Sequence, residues 1–131
     1  MTAYSRLVTY VLAGVTTLLL IEKNPFFAID LVQIVKGSLP DVEITQYTDL
    51  TESELSRKNA DPADFLVFRT PSSRDDALAS LETARKLARS VIAISDTLAP
   101  SDWSEDGVIV LPHPFTEVRL QDALRRLVSA S

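Results

Sequence analysis

Two hydrophobic rhythms alternate along this chain. Short unbroken apolar runs occur at Leu18–Ile21, Phe65–Phe68, Val91–Ile94 and Val108–Leu111. Runs of that length without a polar face predict strands covered on both sides. Val42-Glu43-Ile44-Thr45 alternates instead, as an exposed or edge strand does. Between the runs, apolar residues recur at helical spacing. Phe27, Leu31, Ile34 and Val35 follow Asn24-Pro25, a good N-cap and first helical residue, and Gly37 and Pro40 mark the stop. Thr51-Glu52-Ser53-Glu54 has capping-box spacing and predicts a short polar helix to about Lys58. Ser73 caps a predicted helix over Asp75–Arg89, with Leu78, Leu81, Ala84 and Ala88 on one face and acids in its first turn. Val118, Leu120, Ala123, Leu124, Leu127 and Val128 define the last helix. Leu98–Asp106, with Pro100 and Trp103, reads as a loop or a poor helix.

Strictly alternating strands and helices with right-handed crossovers give a parallel sheet with helices on both faces. The expectation is an α/β, flavodoxin-like (βα)5 doubly wound sheet in strand order 2-1-3-4-5, with the fourth helix short or absent. The 131 residues suit one domain, and 46% apolar with 24% charged residues is the balance of a globule with a sizeable core. We expect an N-terminal extension over residues 1–15 and one domain over 16–131. Leu7–Ile21 has the outline of a signal peptide but lacks a small-residue cleavage site, and it is short for a membrane span.

Charge and composition remove several functions. The net charge is −5 and no Lys/Arg run stands out, which argues against direct nucleic-acid binding. With no cysteine and one histidine, thiol chemistry, disulfides and a histidine-rich metal site are excluded. The three glycines, at 14, 37 and 107, make no phosphate-cradling loop. Ligands of such sheets bind beyond the carboxyl ends of the strands. The residues there are Glu22 and Lys23, Arg69 and Thr70, Ser95 and Asp96, and His113. A hydrolytic triad of Ser95, Asp96 and His113 is disfavoured, because adjacent side chains diverge and no nucleophile elbow is present.

Four stretches in order, "LLLIEKNP", "ADFLVFRTP", "SVIAIS" and "VLPHPF", resemble the receiver domain of bacterial two-component response regulators over Thr16–Ser131. The resemblance implies an acidic pair after the first strand, a phosphoacceptor Asp at the end of the third, a hydroxyl after the fourth and a Lys-Pro-Phe after the fifth. This chain departs at three of these places. Glu22 keeps the first acid, but Lys23 replaces the second, Arg69 stands at the phosphoacceptor position and His113 replaces the lysine; Ser95, Pro114 and Phe115 remain. Arg69 is no nucleophile, and two cations near a metal site repel Mg²⁺.

The resulting expectation is a non-enzymatic, cytoplasmic pseudo-receiver in phosphorelay signalling, without cofactor or metal. Its degenerate pocket comprises Glu22, Lys23, Arg69, Ser95 and His113, with Glu22 paired to Lys23 or Arg69. The resemblance implies a protein partner, such as a histidine kinase, a phosphotransferase or another regulator, and leaves room for a homodimer. It puts Trp103, Phe115 and Val118 on the partner face, and a cis bond at His113-Pro114. The rival readings are a flavodoxin-like small-molecule-binding domain or small enzyme, and a membrane-tethered adaptor.

Overall fold

Two-sided burial dictates the architecture. A computed structural model describes residues 16–103 and 105–130, so the expected extension over 1–15 lies outside the described residues. The elements are β1 (Thr17–Ile21), α1 (Pro25–Ser38), β2 (Glu43–Tyr47), α2 (Leu50–Ser56), β3 (Ala63–Arg69), α3 (Arg74–Leu87), β4 (Ala88–Ser95), a 3₁₀ turn (Pro100–Asp102), β5 (Val108–Pro112) and α4 (Glu117–Ala130). The five strands are parallel, in the order β2-β1-β3-β4-β5. This is the expected flavodoxin-like topology.

Successive strand residues point to opposite faces, so each apolar run fills two cores. Leu18, Leu20, Phe65, Val67, Ile92 and Ile94 pack beneath α1 and α4. Leu19, Ile21, Leu66, Phe68, Val91 and Ala93 pack beneath α3. β2, at one edge, is largely exposed, as its alternation predicts.

The helix boundaries follow the capping chemistry. The Asn24 side chain accepts hydrogen bonds from the Phe26 and Phe27 amides, and Pro25 occupies the first helical position. Two helices differ from expectation. α2 is capped by Asp49, two residues before Thr51, because the Asp49 carboxylate accepts from Glu52 N at 2.8 Å. α3 ends at Leu87, and its core face is Ala77, Leu81, Ala84 and Leu87. Ala88 and Arg89 belong to β4, since Ala88 pairs with Ala63 of β3. At the amino end of the sheet, Asp64 fastens β3 to β1: its carboxylate accepts from Thr17 N at 2.9 Å.

Among the described residues between β4 and β5, the 3₁₀ turn is the only helical element. Side chains of α3 hold this connection where a helix would otherwise pack. Arg74 pairs with Asp102 at 2.9 Å, and Arg85 pairs with both carboxylate oxygens of Glu105 at 2.9 Å. Arg85 also donates to the Arg89 carbonyl at 2.8 Å, tying α3 to the start of β4. The two arginines lie about three turns apart on α3 and so share a face. Trp103 is half-buried against the α3-side core, and its indole N–H donates to Glu105 at 2.9 Å. Gly107 then turns the chain into β5 at φ 85°, where a Cβ would stand 3.0 Å from the Arg89 carbonyl.

Both carboxylates of this connection are held below the usual carboxylate range, Asp102 by the Ala99 amide and then Arg74, Glu105 by Arg85 and then Trp103. A depressed pKa stabilises above the unfolded value and is lost as pH falls through the folded one. Trp103 is the only tryptophan, so its fluorescence reports on the connection. Acid titration is expected to change it with a midpoint below the ordinary glutamate range, and Arg85→Gln to move that midpoint upward.

Candidate functional site

Charges excluded from the double-sided strands collect at their carboxyl ends. Glu22 follows β1 and Arg69 ends β3, and the register Ile21–Phe68 brings them side by side. Arg69 Nη2 lies 2.8 Å from Glu22 Oε2. Glu22 is therefore paired with Arg69; Lys23 is exposed and forms no ion pair among the described residues. The Glu22 side chain is 2% exposed, against 40% for Arg69. The pair thus has a buried acid and a cation reaching into solvent. Glu22 Oε2 also accepts from the Asn24 amide at 2.9 Å, which ties the acid to the cap of α1. Glu22 Oε1 is buried and has no hydrogen-bond partner.

Arg69 has a second contact that the sequence did not reveal. Its guanidinium carbon stands 4.7 Å from the centre of the Phe27 ring, within cation–π range. Phe27 in turn meets Phe115 edge-on, with centroids 5.8 Å apart and planes at 77°. A continuous contact path therefore runs from Glu22 at the end of β1, through Arg69 and Phe27, to Phe115 before α4. The clue available beforehand was position: Phe27 is on the first turn of α1, beside the strand ends.

Ser95 is occupied differently. Thr70 donates its hydroxyl proton to Ser95 Oγ at 2.7 Å, and Ser95 Oγ accepts from the Leu98 and Thr97 amides at 2.9 and 3.1 Å. This hydroxyl closes the turn after β4. His113 is exposed, and its backbone N–H donates to the Ser95 carbonyl at 3.0 Å. Its peptide bond to Pro114 is cis. With Ser95 so engaged and His113 turned to solvent, no hydrolytic triad forms.

Glu22, Lys23, Arg69 and Thr70 line an open cavity of about 390 Å³, with Thr48 and Asp49 opposite. Ser95 and His113 lie outside its lining. The cavity does not fit a divalent cation. A hard ion needs several oxygen ligands, whereas one Glu22 oxygen is already bound to a guanidinium and Asp49 caps α2. Among the described residues no group of three acidic, histidine or cysteine side chains could hold a metal.

The expected partner-face residues differ in their packing. Trp103 packs on the α3-side core and Phe115 on the α1/α4-side core, on opposite faces of the sheet. Only Val118, 61% exposed, is free at the surface.

No protein-family model matches the sequence, and no curated protein matches it. Solved structures do. A response regulator receiver protein from Sinorhizobium medicae superposes with a TM-score of 0.69 at 19% identity, over 90% of this chain and 98% of that one. The PhyR receiver domain of Erythrobacter litoralis gives 0.65 at 17%, over 89% and 92%. A CheY-like receiver domain from Methylobacillus flagellatus gives 0.61 at 14%, over 87% and 99%. The fold is a receiver fold. No helix among the described residues is long and apolar enough to cross a membrane.

Neutralising Arg69 leaves a buried carboxylate without its cation. Such a loss costs several kcal/mol when both groups are buried, and less where the cation is screened by solvent. Arg69→Gln is therefore expected to lower unfolding stability by about 2 kcal/mol in urea titrations. Adding Glu22→Gln is expected to recover part of the loss, because no charge then stays buried.

Proposed function

We propose that this chain is a receiver-like signalling module that acts by binding a protein partner and is not phosphorylated. One observation carries the reading: the cation at the end of β3 is already bonded to the acid at the end of β1, 2.8 Å away. In the receiver family the residue at that place accepts phosphate and the neighbouring acids hold Mg²⁺. Here the same positions carry a guanidinium and an ammonium, so the pocket provides neither a nucleophile nor a metal site. The Arg69–Phe27–Phe115 contacts extend from this pair towards the loop before α4. A fixed ion pair would then hold the loops in one arrangement that a partner reads, the partner being a kinase, a phosphotransferase or another regulator.

A small-molecule ligand is the second reading, supported by the cavity beside Lys23 and Arg69. Native mass spectrometry of protein from its source cell, with and without a retained ligand, separates the two.

Incubation with acetyl phosphate and Mg²⁺ is expected to leave the mass of the intact protein unchanged; a stoichiometric phospho-adduct overturns the proposal. In affinity capture from the source cell, Lys23→Asp with Arg69→Asp is expected to weaken partner recovery relative to the natural chain. Equal recovery by both forms would show that the pocket does not control binding.

A further inference from the structure

We propose that the free edge of β2 pairs antiparallel with β2 of a second copy of this chain, about a two-fold axis through Thr45. The inference goes beyond the reading of the Glu22–Arg69 site and does not depend on it.

The two outer strands of the sheet, β2 and β5, are each bonded on one side. They are guarded differently. β5 ends in Pro112, which has no N–H, and Val108 N is already engaged with Glu105 O. β2 contains no proline, lysine or arginine. Its register with β1 is unbroken from Glu43 to Tyr47, so no bulge interrupts it. Proline, lysine and bulges are the usual protection of an edge. Two bonds show which backbone groups of β2 are free. Glu43 N donates to Thr16 O, and Tyr47 O accepts from Glu22 N. Alternate residues of a parallel ladder face the same neighbour. Glu43, Thr45 and Tyr47 therefore bond to β1, and the N–H and C=O groups of Ile44 and Gln46 point away from the sheet. No turn or loop hydrogen bond among the described residues takes them. Ile44 is half-buried and Gln46 is exposed, so the edge is open to a second strand.

The free groups select one two-fold register. With Thr45 on the axis, Ile44 of each copy lies opposite Gln46 of the other, and every outward N–H and C=O is paired. Centring on Ile44 would need Val42 N, which already donates to Leu39 O. Centring on Gln46 would need Thr48 N, which already donates to Glu52 at 3.1 Å. The side chains agree with the Thr45 register. Thr45 meets its own copy, a favourable cross-strand pair. Glu43 meets Tyr47 of the other copy, and the two Glu43 residues stand about 13 Å apart along the strands. Helix α1 adds apolar contact. Its core face is Ala28, Leu31 and Val35, while Phe27 and Gly37 lie on the side next to α4, beside Phe115 and Gln121. At about 100° per residue the opposite flank carries Ile29, Val32 and Lys36. Val32 and Ile44 pack against the same core, so this flank lies above β2. Ile29 is 55% exposed there. An axis normal to the sheet turns this flank of α1 towards its copy.

The chain has no cysteine, so one introduced thiol reports the register. Residues facing each other in a non-hydrogen-bonded antiparallel pair have Cα atoms about 4.5 Å apart, within disulfide reach. Thr45→Cys is expected to give a disulfide-linked dimer under mild oxidation. Glu43→Cys, about 13 Å from its copy, and Ala79→Cys on the exposed side of α3 are expected to stay monomeric. Sedimentation of the natural chain over about a hundredfold range of concentration is expected to show a monomer–dimer equilibrium. Exchange of the Ile44 and Gln46 amides slows as the dimer forms. A net charge of −5 on each copy opposes association, so added salt strengthens the dimer. Gln46→Pro removes an edge donor without touching a bond to β1, and Thr45→Lys sets two cations on the axis. Each is expected to abolish the dimer and leave the circular dichroism of the fold unchanged. A chain monomeric at every concentration, a dimer indifferent to both substitutions, or equal cross-linking of the three cysteine variants overturns the proposal. So does protection of Ile44 and Gln46 that appears only when extract of the source cell is added, which assigns the edge to a different protein.

Discussion

Burial on both faces of the central strands is the constraint from which the rest of this molecule follows. β1, β3 and β4 have apolar side chains in two cores at once, so a charge within the central apolar run of any of them would be desolvated. Charge is displaced to the ends of the strands. At the carboxyl ends of β1 and β3, parallel pairing sets the displaced groups opposite one another, just past the Ile21–Phe68 pair, and there Glu22 and Arg69 meet. The site is thus a consequence of the core. Its chemistry depends on which residue types occupy those ends, and an acid beside a guanidinium gives an ion pair where two acids would give a cation site.

The connection from β4 to β5 shows a different economy. With a 3₁₀ turn as the only helical element among the described residues between them, the sheet loses helical cover over part of the α3-side face. Leu98 and Trp103 fill some of that space. Arg74 and Arg85 reach across from α3 to hold the connection through its carboxylates. The tryptophan is therefore a packing residue with its one polar atom occupied. Exposed ion pairs of this kind are individually weak, so the connection is held by several contacts acting together with the partly buried indole.

Much of the fold was legible in the sequence because two-sided strands have a plain signature. Four apolar runs without polar interruption, separated by helical spacing, specify a parallel sheet, and the Asn24-Pro25 pair fixes where α1 starts. The misplaced ends of α2 and α3 have a local cause. Thr51 and Asp49 both offer capping oxygens, and only the backbone shows that Asp49 takes the bond. Ala88 and Arg89 continue a helical pattern by composition, but pairing of Ala88 with Ala63 draws them into β4. Of the candidate site, Glu22 and Arg69 were identifiable from their position at strand ends. Phe27 was not, because its spacing marks it equally well as a core residue of α1.

The sequence by itself determined the class of fold, the displacement of charge to the strand ends and the presence of Lys23 and Arg69 there, since each of these follows from residue type and period alone. Tertiary structure decided which cation Glu22 binds, that Phe27 and Phe115 link this pair to the loop before α4, and that Ser95 is engaged in closing its own turn. It also divided Trp103 from Phe115, on opposite faces of one sheet. The physical reason is the same throughout: hydrogen bonds and ring contacts depend on distances of a few ångströms between residues far apart in the chain, and only the packed register of the strands sets those distances.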